Sequence, residues 1–130
     1  MLRHYPHHRR RSPFNVLGGL LKADLQLRRG VICSWAVEDN LWLRRSAILA
    51  QLKYKADTDV ELLCAAIEPS MGDNNFFARK AIGWALREYT RTDPDFVIAY
   101  VKHHKDALSN LSKREAWKLL IKNGFVDAIP

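Results

Sequence analysis

The chain is poor in helix breakers and in covalent staples. Its 130 residues include only six Gly, five Pro and two Cys. So little Gly and Pro speaks for a globular, helical chain rather than a low-complexity one. Cys33 and Cys64 lie in different helical segments, both on apolar faces, and are expected to be buried thiols rather than a disulfide. No apolar run approaches the roughly 20 residues of a membrane span. The leading segment lacks the apolar core of a secretory signal. Also missing are a Gly-rich phosphate loop, a nucleophile elbow and a zinc-spaced Cys/His set. No metal or small-molecule cofactor is therefore expected.

Acid is absent from the first 23 residues, which hold Arg3, Arg9, Arg10, Arg11 and Lys22. The net charge of +7 is thus mostly theirs, because the rest of the chain sets sixteen Lys and Arg against fourteen Asp and Glu, a net of +2. Residues 1–13 carry no helical periodicity, and they contain His4, His7, His8, Pro6 and Pro13. They are expected to form a basic, disordered arm. Anion binding by the remainder must rest on a face rather than on bulk charge.

What is present is helical periodicity, without a convincing strand. Phe14–Ala23 and Asp24–Val37 are expected to pair, the second burying Leu27, Val31, Ile32 and Trp35. Asp39 or Asn40 caps the next helix, which is expected to reach Lys55 and to bury Leu41, Ile48, Leu49 and Leu52. Thr58 and Glu61 have the form of a capping box before Val60, Leu63, Cys64 and Ile67. A helix entered at Asp73 or Asn74 ends near Thr92. Asp93 caps a further helix, with Pro94 in its first turn. Ser112 and Glu115 form a second capping box ahead of Ala116, Leu119 and Leu120. About seven helices in pairs of roughly 35 to 45 residues suit an all-α repeat fold, with residues 14–130 as one domain.

The helix after Asn74 is the unusual one. Ala78, Ile82, Ala85, Leu86 and Tyr89 make its apolar face. Lys80, Trp84, Arg87 and Arg91 share a second face, where an aromatic sits among cations. Gly83 adjoins it and costs roughly 1 kcal/mol relative to Ala. Such a Gly implies close packing there, by another helix or a ligand backbone.

Three segments carry a resemblance. They are Phe76-Phe77-Ala78-Arg79-Lys80-Ala81-Ile82-Gly83-Trp84-Ala85-Leu86-Arg87-Glu88-Tyr89, the run Asp39 to Leu49 with Gln51 to Lys55, and Leu111 to Ala116. Together they resemble the AlkD-type DNA alkylation repair family over roughly Val16 to Gly124. The resemblance implies stacked antiparallel helix pairs, a HEAT-like α-solenoid. It further implies a monomeric glycosylase that removes N3- or N7-alkylated purines from duplex DNA without flipping the base into a deep pocket. By the same resemblance the protein is intracellular, and in a bacterium cytoplasmic and nucleoid-associated.

Such chemistry needs a grip on phosphates, an aromatic surface beside the lesion, and a carboxylate near the developing sugar cation. By resemblance, Trp84 matches the family's downstream aromatic, Arg45 its arginine, and Lys53 and Arg87 its basic positions. Arg44, Lys80 and Arg114 join the DNA-binding set on helix geometry. The competing assignments are a core residue for Trp84 and solvated charges for the cations. Arg45 is set apart by apolar Ile48 and Leu49 one turn on, which desolvate it in part. The carboxylate does not carry over. The family's Asp and its partner Trp fall near Arg10 and Pro6. Trp35 and Asp39 have the right spacing, but Asp39 is better explained as a helix cap. The chain is therefore expected to be the C-terminal portion of a larger enzyme without the catalytic Asp. A non-catalytic DNA-binding module and a protein-interaction scaffold are the alternatives.

Overall fold

The structure, a computed structural model, describes residues 24–130. Among them are six α-helices and no strand: α1 Leu25–Ala36, α2 Leu41–Leu49, α3 Val60–Ile67, α4 Phe76–Thr90, α5 Pro94–His103 and α6 Asn110–Lys122. Short 3-10 turns at Lys55–Asp57 and Glu68–Ser70 flank α3. The expected arm and the expected helix Phe14–Ala23 lie outside the described residues.

Helices pack on chain neighbours and, in three cases, on the helix two places along. α2 packs on α4, α4 on α6 and α1 on α3. Tyr100 of α5 donates a hydrogen bond to Glu68 after α3. The result is two layers, α1-α3-α5 and α2-α4-α6, as expected where helix pairs stack to share one core. Ile32, Ile48, Ile67, Ile82, Leu86, Val97, Val101, Trp117 and Leu120 fill the space between them. None of the described helices is long and apolar enough to cross a membrane.

Several local expectations shift. Of the two expected candidates Asn40 caps α2, its Oδ1 accepting from the Trp42 and Leu43 amides, which overturns the cap role given to Asp39. α2 stops at Leu49, and the chain passes Lys55 at a φ of 53°, so the α-helix does not run on to Lys55 as expected. Asp59, not Thr58, caps α3 and is held by Gln51. Asn75 caps α4, one residue later than expected. Ser109, not Ser112, caps α6, so Ser112 and Glu115 are interior residues. The Asp93 cap with Pro94 stands as expected. Leu27 is half exposed, because α1 buries only the Arg28-Ile32-Ala36 stripe. Cys33 is exposed for the same reason, one residue off that stripe. Cys64 is partly buried, and burial followed by the Glu68 charge pushes its thiol pKa up.

Candidate nucleic-acid interface

The residues expected to meet DNA belong to the α2-α4-α6 layer, and α4 organises them. Asn75 fixes its first turn by accepting from the Phe77 and Ala78 amides. Arg79 ties that turn to the preceding loop, its Nε donating to the Asp73 carbonyl at 2.8 Å. From there Lys80, Trp84 and Arg87 follow at spacings of four and three on one face.

Gly83 lies beside that face, where α4 meets α6. A Cβ on Gly83 would sit 2.4 Å from the Glu115 Cβ and 3.1 Å from the Ser112 carbonyl. The close approach implied by this glycine is therefore to another helix. It brings Glu115 of α6 under the cations of α4. The Glu115 carboxylate receives Arg87 at 2.7 Å, Lys118 at 2.7 Å and Lys80 at 3.4 Å. Burial raises its pKa, but Lys118, Lys80 and Arg87 outweigh that and leave it below its usual value. Three cations on one carboxylate leave a surplus of positive charge.

On the other flank of Trp84 a cavity of about 680 Å³ opens between α4 and the α2–α3 connection. Trp84, Lys53, Ile48, Leu63, Glu88 and Arg91 are among its lining residues. Trp84 is half-buried, resting against the core with part of its surface open. Lys53 and Trp84 thus share one opening. Glu88 is the acid on this flank, and it pairs with Arg91 at 2.9 Å.

Arg45 stands at the N-terminal end of the α4 stripe. It donates to the Phe77 carbonyl at 3.0 Å, and its guanidinium lies 5.6 Å and 5.9 Å from the Trp42 and Phe77 ring centroids. Burial strips part of its hydration and lowers its pKa, so an anion placed there displaces less water. The two rings remain half exposed.

Two expected residues are not brought into these groups. Arg44 donates to the Glu38 and Asp39 carbonyls and pairs with Asp73 at 2.9 Å. Those bonds tie the α1–α2 turn to the loop before α4. Arg114 is exposed on α6, a step of about 100° around the helix from Glu115. Three participants are not legible in the sequence: Glu115, Lys118 and Trp42. Glu115 was absorbed into an assumed capping box, and Lys118 is visible only as its partner three residues on. Trp42 lay inside a recognised segment without being given a role.

A sequence model of the DNA alkylation repair enzyme family matches residues 12–120, most of the chain and all of the face just described. The chain belongs to this family. No curated protein matches it. Among solved structures it is similar to a predicted DNA alkylation repair enzyme from Enterococcus faecalis, at 35% identity and a TM-score of 0.75. That match covers 82% of this chain and 49% of the other, so the chain spans about half the length of its solved relative. The DNA alkylation repair family and the all-helical repeat fold are thereby established for this chain.

Proposed function

We propose that the chain binds the backbone of duplex DNA across α2, α4 and α6 and presents Trp84 to an alkylated purine. The family activity would be removal of N3- or N7-alkylated purines by hydrolysis of the N-glycosidic bond. The observation that supports this is the flanking of one half-open tryptophan by Lys53 in a shared cavity on one side and by the Lys80-Arg87-Glu115 group on the other. Arg45, Lys53, Lys80 and Arg87 would meet phosphates, and Trp84 would lie beside the cationic base. Arg44 would act by holding the loop before α4, and Arg114 would add only diffuse charge.

The chemical step needs a fixed carboxylate near the sugar carbon, and a comparable preorganised group is worth roughly 3 to 4 kcal/mol. Glu115 is saturated by three cations and Glu88 is paired with Arg91. Neither supplies it. Asp39, which Asn40 displaces as the cap of α2, stands in the α1–α2 turn held by Arg44 and does not line the Trp84 cavity. Among the described residues, then, no fixed carboxylate serves Trp84. Binding without efficient hydrolysis is therefore the function we assign to this chain.

The test is release of 7-methylguanine from alkylated duplex, beside duplex binding by the same preparation. Salt-dependent binding with little or no release is expected, and Asp39→Asn should change neither. Robust release that vanishes in Asp39→Asn would make Asp39 the catalytic carboxylate. Binding indifferent to salt between about 50 and 200 mM would remove phosphate contacts from the account and favour a protein-interaction scaffold.

A further inference from the structure

We propose that Lys118 completes a phosphate-binding cation triad with Lys80 and Arg87, and that Glu115 is its positioning residue, set in place by the absent side chain of Gly83. This rests on the DNA binding proposed above and extends it from α4 onto α6.

The geometry carries the proposal in three steps. First, the helix approach at Gly83 is so close that Glu115 is buried although it is charged, with its side chain 7% exposed. A buried carboxylate must be paired, and here it takes three partners where one would neutralise it. Second, those partners remain open outward: the Lys80, Arg87 and Lys118 side chains are 42%, 28% and 56% exposed. Arg87 spends Nη1 on Glu115, and a guanidinium has further donors in its fixed fork. Third, tethering to one carboxylate restricts three long side chains before any ligand arrives, so less rotamer entropy is lost on binding. The ligand chemistry that fits is a polyanionic phosphate chain, with adjacent phosphates shared between the two helices.

The positioning role and simple electrostatics predict opposite signs. Glu115→Gln adds one unit of net positive charge to the face. If Glu115 merely quenched its neighbours, this variant would bind duplex more tightly. As the residue that aims them, its loss should weaken binding several-fold at low salt. Lys118→Ala, at an exposed position, should lower the slope of log affinity against log salt by about 0.9.

The experiment measures the wild-type chain, Glu115→Gln and Lys118→Ala against an undamaged duplex across a salt series, and against inorganic tripolyphosphate by calorimetry. Weaker binding by Glu115→Gln together with a shallower slope for Lys118→Ala supports the triad. Tighter binding by Glu115→Gln, or an unchanged slope for Lys118→Ala, overturns it while leaving the DNA-binding function intact. Tripolyphosphate binding that depends on Lys118, with no duplex binding by wild type, keeps the triad and removes the DNA function. Binding of neither probe by wild type overturns both. Should Glu115→Gln fail to fold, Lys118→Ala decides alone.

Discussion

Gly83 is costly by helix propensity, and the cost is offset by what its missing side chain permits. Adding one carbon there would recover about 1 kcal/mol of helix propensity. It would also push a Cβ to 2.4 Å from the Glu115 Cβ, where α6 rather than a flexible tip must yield. Overpacking of this kind costs about 1–3 kcal/mol. Gly83→Ala should therefore lower stability in urea melts; an unchanged or higher midpoint would mean that α6 can slide away freely. Glu115 makes a second prediction at the same scale. Its folded pKa is held below the ordinary 4.5, so its contribution is present above the unfolded value and is lost as pH falls through the folded one. Wild type should lose stability on acidification below about pH 4.5 more steeply than Glu115→Gln, as read by thermal melts at stepped pH. Parallel curves would show that the ion cluster adds no acid sensitivity.

Helix boundaries were only partly legible, and the errors share one cause. Asp39, Thr58, Asn74 and Ser112 all have cap chemistry, and each stands close to the residue that actually caps. Asn40, Asp59, Asn75 and Ser109 are the caps, because the packing of the helix they open fixes where its first turn begins. A run of cap-competent residues offers several starts of nearly equal local energy. Asn75 matters most, since it sets the phase of the α4 stripe. Asn75→Ala removes acceptors for the Phe77 and Ala78 amides and should cost about 1 kcal/mol. The matching control is Asn74→Ala, whose side chain accepts only from Arg79. It should cost less, and equal losses in urea melts would show that the cap contributes nothing special.

At the scale of the whole molecule, charge and fold are separable. The residues before Asp24 hold five cations and no acid, and the remainder has a net charge of +2. A basic arm alone would bind any polyanion, so the face on α2, α4 and α6 must be tested without it. Deleting residues 1–13 should weaken duplex binding, yet Arg45→Ala and Arg87→Ala should each still reduce the salt slope by about one unit in the shortened chain. Fluorescence anisotropy on a labelled duplex reads this directly. If both decrements vanish with the arm, the layer is not the binding face.

The amino-acid pattern by itself did not determine the buried face of α1, where Leu27 and Cys33 are exposed, but it did determine the class of fold, the family, the apolar face of α4 and the stripe of Lys80, Trp84 and Arg87. These follow from periodicity and from local motifs, which are properties of neighbouring residues. Tertiary structure alone decided which cations act together. Arg44 and Arg45 are adjacent in sequence, yet one ties loops through Asp73 and the other stands by Trp42 and Phe77. Glu115 lies 28 residues from Arg87 and joins it at 2.7 Å. The physical reason is that an ion pair between helices is set by how closely their axes approach. At α4 and α6 that distance is set by the absence of one side chain, at Gly83.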